Sequence, residues 1–142
     1  MASKEQLDKT YMQTALLHAE LSYGIRLKVG AVFVTRTGII IPGVNGLPSA
    51  LGNQLEYVDD NGEYVTKPAV IHAEQAGMNK AAKEGYSLEG SIGYITHAPC
   101  EHCASNIVAV GCKEIVWLNA YRNTKGLDIL TQAGIMHRNL IL

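Results

Sequence analysis

Four side chains in this sequence of 142 residues have the types and spacing of a metal site. His72 and Glu74 open one predicted helix, and Cys100 and Cys103 open the next. Residues three apart in a first helical turn lie on one face, so both cysteine sulfurs can reach one ion and His72 can supply a third ligand. Sulfur and imidazole ligands suit zinc. The four residues therefore predict a zinc ion with three protein ligands.

Hydrolytic chemistry would follow from the coordination position that three ligands leave open. Water can take that position, and zinc lowers the pKa of the water from about 15.7 to about 7, so a nucleophile exists at neutral pH. Glu74, beside the metal, would take a proton from the water and deliver it to the substrate. Residues two apart in a regular helix face different ways, so His72 and Glu74 can cooperate only if the helix begins near residue 72 or 73.

A purely structural zinc site is the alternative interpretation of the two cysteines. His97, His102 or Cys112 could complete a shell of four ligands around Cys100 and Cys103. We favour a catalytic site because an H-x-E motif and a P-C-x-x-C motif open consecutive helices in the order of the zinc deaminase signature. Cys112 is then expected in the core, where cysteine is common. The other histidines are expected to pack or to lie on the surface: His18, His97, His102 and His137.

Composition restricts the class of protein and its partners. Hydrophobic residues make up 47% of the chain and charged residues 18%, which is typical of a globular domain and excludes a disordered chain. The formal net charge of −1 gives no general attraction to nucleic acid or to anionic membranes. No apolar stretch approaches the roughly 20 residues of a membrane helix. We expect a cytoplasmic protein with no membrane partner and no nucleic acid polymer as partner.

The elements that position the zinc motif can be predicted from periodicity. Apolar residues at steps of three or four from residue 5 to 23 predict an amphipathic helix that ends at Gly24. Apolar runs at 29–34 and 39–41 flank a turn and predict two antiparallel strands. No period persists from Pro42 to Pro68, which predicts a long loop with a small flap around residues 59–62.

Helices and strands alternate in the second half of the sequence. Helices are predicted at 72–85, 101–110 and 126–133, and strands at 91–96, 115–118 and 139–142. Strands that alternate with helices form parallel sheets through helical crossovers. We therefore expect one α/β domain over residues 1–142, with a three-layer α/β/α architecture and a mixed five-stranded sheet whose leading hairpin is antiparallel.

Over nearly its whole length the sequence resembles the deoxycytidylate (dCMP) deaminases, including the phage type. Beyond the zinc motif, three blocks carry the resemblance. Residues 22–32 are similar to the family pattern S-x-C-x-R-x-x-V-G-A-V, with Gly24 in place of the cysteine, and residues 43–48 are similar to G-Y-N-G-x-P. Residues 121–135 are similar to the family's Y-x-x followed by G-x-x-x-L-x-x-A-G-I. The resemblance implies a cytidine deaminase-like fold and a nucleotide as substrate.

The resemblance also implies the reaction and the site residues. His72, Cys100 and Cys103 would hold zinc, and Glu74 would transfer protons while water replaces the amino group of the cytosine ring and ammonia leaves. Asn45 would hold the deoxyribose hydroxyl. Ser22, Arg26 and Tyr121 would surround the 5′-phosphate, with Lys28 and Arg122 as helpers. The full set of residues that the resemblance implies in substrate binding is Ser22, Arg26, Lys28, Asn45, Ala73, Tyr121 and Arg122.

Regulation and assembly are further implications of the resemblance. The family forms homohexamers that dCTP activates and dTTP inhibits, and the triphosphates bind with Mg²⁺ near the N-G-x-P loop. In this sequence that loop consists of Asn45, Gly46, Leu47 and Pro48. Some phage relatives carry a second zinc between this loop and the catalytic histidine. Residues 46–71 contain neither His nor Cys, so we expect one Zn²⁺ per chain.

Three other functions fit the same motifs. The zinc motif alone is compatible with a deaminase of another cytosine nucleoside or nucleotide, or with a deaminase of adenosine in tRNA. An enzyme that acts on RNA needs a basic face because phosphate contacts dominate its affinity, and this chain has few cations to spare. A zinc-binding or nucleotide-binding protein without catalytic activity is the alternative outside the enzymes.

Overall fold

A mixed five-stranded sheet with helices on both faces forms the centre of the protein, and the computed structural model describes all 142 residues. The helices are α1 (Lys4–Ala19), α2 (Ala73–Glu84), α3 (Glu101–Ala109) and α4 (Lys125–Gln132), and a 3-10 helix covers Ser49–Leu51. The strands are β1 (Gly30–Val34), β2 (Ile40–Val44), β3 (Glu56–Val58), β4 (Tyr64–Thr66), β5 (Ile92–His97), β6 (Glu114–Asn119) and β7 (Met136–Asn139). None of these helices combines the length and the hydropathy that crossing a membrane requires.

The strand order brings several loops to one end of the sheet. The order is β2-β1-β5-β6-β7, with β5, β6 and β7 parallel and β1 antiparallel to both of its neighbours. The start of β1 and the end of β2 therefore lie beside the last residues of β5 and β6. We call this end the carboxyl end of the sheet. Open α/β sheets bind their ligands at this end, so the loops that leave it are the place to look for a site.

Alternation along the strands divides the core between the two faces of the sheet. Val32, Tyr94 and Val116 face one way and pack with Met12 and Ala15 of α1. The opposite face carries a larger core, which combines strand residues with residues of α2, α3 and α4: Ala31, Phe33, Ile95, Ile115, Ala73, Met78, Ala81, Ala104, Ile107 and Leu130. The predicted three-layer α/β/α arrangement with a mixed five-stranded sheet is confirmed.

Two glycines allow very close contacts beside the starts of α2 and α3. A Cβ atom on Gly43 of β2 would lie 2.1 Å from the carbonyl oxygen of Ala73. A Cβ atom on Gly126 of α4 would lie 2.0 Å from the carbonyl oxygen of Pro99, which directly precedes Cys100. Such separations are far below van der Waals contact, so only a residue without a side chain fits. Direct backbone contact thus holds the starts of both helices.

The segment from residue 42 to 68 is more ordered than the sequence predicts. The apolar run at 39–41 indicates a short strand, whereas β2 continues through Pro42 to Val44. Proline cannot donate a ladder hydrogen bond, and β2 tolerates it because β2 is an edge strand. The flap predicted around residues 59–62 is confirmed as the turn of an antiparallel hairpin formed by β3 and β4.

The first helix ends earlier than predicted. Its periodicity extends to residue 23, but α1 ends at Ala19. Ser22 is buried, and its hydroxyl donates a hydrogen bond to the carbonyl oxygen of Asn45 at the carboxyl end of the sheet. This tertiary bond directs the chain toward the sheet, so the segment after Ala19 leaves the helical path.

The prediction of a closing strand at residues 139–142 is wrong in position. The last strand, β7, covers Met136–Asn139 and pairs in parallel with β6. Its sequence, M-H-R-N, contains no apolar run that periodicity could detect. Backbone pairing and the side chain of Arg138 hold it instead.

A network of charged side chains joins α1 to the last strands. The Arg138 guanidinium donates to Asp8 at 3.0 Å and to Glu114 at 2.9 Å. Lys4 donates to Glu114, and the Tyr94 hydroxyl donates to Asp8. Burial opposes ionisation of Glu114, but the bonds from Arg138 and Lys4 outweigh it, so the pKa of Glu114 lies below its ordinary value. Two buried carboxylates thus depend on one arginine.

Substitution of this arginine tests the network. Arg138→Met should lower the free energy of unfolding by about 2–3 kcal/mol at neutral pH, because Asp8 and Glu114 stay buried without their shared cation. The pKa of Glu114 is depressed in the fold, so its contribution is present above the unfolded-state pKa and is lost as the pH falls through the folded-state value. Urea denaturation at several pH values should show a difference from the wild type that shrinks in acid.

The exposed Arg36 supplies the matched control for this measurement. Arg36→Met removes the same charge and should change the free energy of unfolding by less than about 0.5 kcal/mol. An Arg138→Met protein as stable as the control at neutral pH would contradict a stabilising role for the network.

Candidate active site

The predicted metal ligands come together at the carboxyl end of the sheet. His72 Nδ1 lies 3.5 Å from Cys100 Sγ and 3.4 Å from Cys103 Sγ. The three ligand atoms lie within 4.8 Å of one another. Ligand atoms around a tetrahedral zinc with bonds of about 2.0–2.3 Å are separated by about 3.5–3.8 Å. The donor set and its spacing therefore fit one zinc ion.

Both halves of the cluster stand at helix N-termini. His72 is the N-cap of α2 and Cys100 is the N-cap of α3, each with extended backbone. The helix start predicted near residue 72 or 73 is confirmed. Because His72 precedes the first helical residue, its side chain need not point away from that of Glu74 as it would in a regular helix. Neither N-cap side chain bonds the first turn of its helix, whereas Ser3 forms a full capping box on α1. The positive ends of the α2 and α3 dipoles are therefore not satisfied by capping side chains, and they favour the thiolate form of nearby cysteines.

The two cysteines of the cluster titrate as a pair. A hydrogen bond from the Cys103 thiol, helped by the His72 ring and opposed by burial, lowers the pKa of Cys100 to about 3. The same bond to Cys100 and burial raise the pKa of Cys103, the proton donor. The hydrogen bond to Cys100 also raises the pKa of His72. Binding of a metal ion at these side chains would release protons, because cysteine binds metals as the thiolate and histidine as the neutral ring.

Glu74 lies beside the cluster and is 5% exposed. Burial raises the pKa of its carboxyl group, although the nearby His72 ring and the Cys103 thiol act in the opposite direction. A carboxyl group that holds a proton more readily than usual suits a residue that takes up and releases protons during a reaction. Glu74 also lines the cavity that reaches the metal ligands, so a bound molecule can contact it.

A cavity of about 660 Å³ opens at the carboxyl end of the sheet. Its volume lies within the roughly 300–1,000 Å³ range of small-molecule sites. His72, Glu74 and Cys100 lie in its wall. Of the residues implied in substrate binding, the wall contains Arg26, Asn45, Ala73, Tyr121 and Arg122. Ser22 and Lys28 are not part of the wall.

Ser22 and Asn45 instead hold the loop between α1 and β1. The Ser22 hydroxyl donates to the Asn45 carbonyl oxygen and accepts from the Gly24 N–H. The Asn45 side chain accepts from the Val29 N–H at 2.8 Å and donates to the Leu27 carbonyl oxygen at 3.1 Å. A Cβ atom on Gly24 would lie 2.2 Å from that same Leu27 oxygen, which accounts for glycine at this position. Asn45 keeps one amide hydrogen for a ligand.

The rest of the N-G-x-P loop lies outside the cavity. Gly46 exchanges two backbone hydrogen bonds with Ile71, just before the metal ligand His72. Leu47 is half-buried and Pro48 is exposed. The loop is therefore connected to the start of α2, and its role in binding an effector stays a prediction.

Several cavity residues were missed by the sequence analysis. His97, which we expected to pack or to lie on the surface, is in the cavity wall at the end of β5, and Thr96 Oγ1 lies 3.0 Å from its Nδ1. Its place two residues before Pro99 of the P-C-x-x-C motif is a signal that could have identified it. The β3–β4 hairpin and the residues on either side of it add a further group of wall residues: Leu55, Glu56, Thr66 and Val70. No periodicity or motif marks these positions.

Comparisons with known proteins agree with this site. Residues 5–119 match the family model of the cytidine and deoxycytidylate deaminase zinc-binding region. The deoxycytidylate deaminase of Enterobacteria phage T4 is 30% identical over 165 aligned residues, which cover 89% of this chain and 86% of the phage protein. That of Homo sapiens is 30% identical over 141 residues, which cover 92% of this chain and 78% of the human protein.

The same likeness extends to solved structures. The crystal structure of the dCMP deaminase from the cyanophage S-TIM5, in complex with dCMP and dUMP, is 38% identical and superposes with a TM-score of 0.88. The superposition covers 98% of this chain and 100% of the cyanophage chain. The superposition therefore spans the sheet and the segments that carry the cluster and the cavity wall in this chain.

Proposed function

The chain belongs to the zinc-dependent cytidine and deoxycytidylate deaminases, and from this membership we propose that it hydrolyses dCMP to dUMP and ammonia. The observation that carries this proposal is a single cavity whose wall contains two members of the cluster, His72 and Cys100. The same wall contains Glu74 and two arginines, Arg26 and Arg122. A base at the cluster and a phosphate at the arginines would occupy the two ends of one nucleotide. The similarity to a dCMP deaminase in complex with dCMP and dUMP supports this assignment.

The residues around the metal divide the chemistry between them. His72, Cys100 and Cys103 would hold the zinc ion, which would supply an activated water molecule. Glu74 would accept a proton from the attacking water as the water oxygen adds to C4 of the cytosine ring, and would then protonate N3 of the ring. The second proton of the water goes to the amino group by way of Glu74, the bond from C4 to nitrogen breaks, and ammonia leaves. The oxygen stays on C4 as the carbonyl of dUMP.

The other end of the cavity recognises the nucleotide in our proposal. A phosphomonoester carries nearly two negative charges, and arginine binds it with two parallel hydrogen bonds. Arg26 and Arg122 supply this contact, with Tyr121 beside Arg122. Asn45 offers its remaining amide hydrogen to the deoxyribose hydroxyl, and Ala73 forms the wall beside the base.

Two implied residues act less directly in the proposal. Ser22 supports Asn45 through its hydrogen bond to the Asn45 carbonyl oxygen. Lys28 is exposed and adds positive charge near the loop that carries Arg26. Zn²⁺ is the cofactor of the reaction, with one ion per chain.

Regulation and assembly belong to the same proposal. We infer a cytoplasmic homohexamer that dCTP activates and dTTP inhibits, each bound with Mg²⁺ at the loop of Asn45, Gly46, Leu47 and Pro48. The pairing of Gly46 with Ile71 supports this proposal, because it connects the loop to the residue before His72. Titration of dTTP with Mg²⁺ against dCMP turnover should show inhibition that dCTP relieves. Flat titration curves would reject the regulation and leave the activity standing.

A substrate panel tests the activity itself. Zinc-loaded protein should convert dCMP with a kcat/KM at least about 100-fold above that for deoxycytidine, which lacks the phosphate that the two arginines bind. Cytidine and an adenosine-bearing tRNA complete the panel, and ammonia release is the common measurement. Conversion of tRNA but not of dCMP would overturn the proposal. Binding of dCMP without turnover would indicate a nucleotide-binding protein instead.

A further inference from the structure

Glu56 of β3 is a buried carboxylate that holds the loop carrying Arg26. It is 5% exposed. Its Oε1 accepts from the Ile25 N–H at 2.9 Å, and its Oε2 accepts from the Arg26 N–H at 3.0 Å. Both bonds span about thirty positions of sequence. One side chain of the hairpin thus fixes the backbone of two consecutive residues in a distant loop.

The hairpin also contacts the guanidinium of Arg26. Glu56 Oε2 lies 3.7 Å from Arg26 Nε. On the neighbouring strand, Thr66 Oγ1 accepts a hydrogen bond from Arg26 Nη2. Guanidinium has five N–H donors, so these contacts leave several of them for a ligand. β3 and β4 therefore hold the backbone and the side chain of Arg26 together.

The distribution of buried residues in the hairpin indicates that the hairpin contributes to the cavity. Tyr57, Val58 and Tyr64 are exposed, so these side chains add little to a hydrophobic core. The buried residues of this segment are Leu55 and Glu56, and both line the cavity. An isolated two-stranded hairpin is marginally stable by itself. Leu55 and Glu56 therefore both attach the hairpin to the rest of the protein and form its part of the cavity wall.

We propose that Glu56 is a positioning residue that orients Arg26 toward the phosphate of the substrate, so that the β3–β4 hairpin sets the preference for a phosphomonoester. This inference rests on the proposed function. A preorganised arginine loses less entropy when it binds an anion than a free surface arginine does. The two backbone N–H groups and the guanidinium offset the charge of Glu56, which would otherwise repel a phosphate in the same cavity.

Substitution of Glu56 by glutamine is the first test. Glu56→Gln keeps the shape but places an amide N–H group against a backbone N–H, so Arg26 loses its support. We expect KM for dCMP to rise about 10- to 100-fold while kcat stays within about twofold, because phosphate binding is equal in the ground state and the transition state. Zinc content and the melting temperature report whether the variant is folded.

A double-mutant cycle separates positioning from general stabilisation. Arg26→Ala should raise KM by itself, and Glu56→Gln in the Arg26→Ala background should add less than about threefold, because the lost function is shared. Thr66→Val removes one contact to Arg26 and leaves Glu56 intact, so it tests the same idea if Glu56→Gln fails to fold. It should raise KM several-fold. The exposed Glu63, at the turn of the same hairpin, supplies the control Glu63→Gln with wild-type kinetics.

The outcomes distinguish this inference from the proposed function. A wild-type protein that does not convert dCMP would reject the function. A wild-type protein that converts dCMP, together with a folded Glu56→Gln variant of unchanged KM, would reject the positioning role alone. If the effects of Glu56→Gln and Arg26→Ala on KM were fully additive in the double variant, the positioning role would also be rejected. If the Glu56→Gln variant does not fold, an unchanged KM in Thr66→Val would reject the positioning role.

Discussion

Glutamine in place of Glu74 should lower kcat for dCMP by about 10²–10⁴-fold while the protein keeps its zinc. Glu74 is buried beside the metal ligands but is not one of them, so the neutral isostere fills the same space and leaves His72, Cys100 and Cys103 unchanged. What disappears is the group that, in the proposed mechanism, moves protons between water, the ring nitrogen and the leaving amine. Ammonia release gives kcat, and metal analysis gives the zinc content.

Glu84 supplies the control for this substitution, because it lies at the exposed end of the same helix. Glu84→Gln removes one carboxylate from α2 and should retain wild-type turnover and zinc. The Glu74→Gln protein should melt within a few degrees of the wild type, since a buried carboxyl group is replaced without a change of volume. Turnover by Glu74→Gln at the wild-type rate would remove Glu74 from the mechanism.

Loss of the metal should have the second large effect. Cys100→Ser should bind less than about a tenth of the wild-type zinc and show no measurable turnover, because a serine hydroxyl is a poor substitute for a thiolate ligand. A wild-type protein stripped by a chelator should lose its activity and recover it when zinc is returned. Zinc at about 1,000 times its dissociation constant stabilises a fold by about 4 kcal/mol, so the stripped protein should also melt at a lower temperature.

The third cysteine, Cys112, supplies a control for Cys100→Ser, because it is not part of the His72, Cys100 and Cys103 cluster. Cys112 is buried, and its single S–H group lies within hydrogen-bond distance of two carbonyl oxygens, those of Ser91 and Glu114. A serine hydroxyl can make one of the same bonds, so Cys112→Ser should keep both zinc and turnover. Loss of zinc in a Cys112→Ser protein that melts near the wild-type temperature would contradict the placement of Cys112 outside the metal site.

The metal site was predictable because its determinants are local. Spacing within H-x-E and P-C-x-x-C, together with the helix start at residue 72 or 73, places His72 and the two cysteines without knowledge of the rest of the chain. Alternation of strands and helices after residue 70 likewise predicted the layers of the fold. Short-range patterns therefore account for the chemistry of the cluster and for the architecture that supports it.

The contribution of the β3–β4 hairpin to the cavity was not predictable, because it depends on contacts between distant segments. Glu56 holds Arg26 across about thirty positions, and neither residue belongs to a pattern that indicates the other. β7 was placed too late for the same reason, since Arg138 meets its partners Glu114 and Asp8 across 24 and 130 positions. Sequence patterns report local periodicity, whereas these elements are held by single polar contacts between remote parts of the chain.

The close backbone contacts at Gly43 and Gly126 restrict which variants of this protein can survive selection. Neither glycine touches the cavity, yet any added methyl group would push Ala73 or Pro99, the immediate neighbours of two zinc ligands. A random mutagenesis library selected for activity should therefore be depleted at both positions as strongly as at the ligands themselves. Engineers who wish to widen this enzyme's substrate range should leave these two positions untouched and vary the hairpin instead.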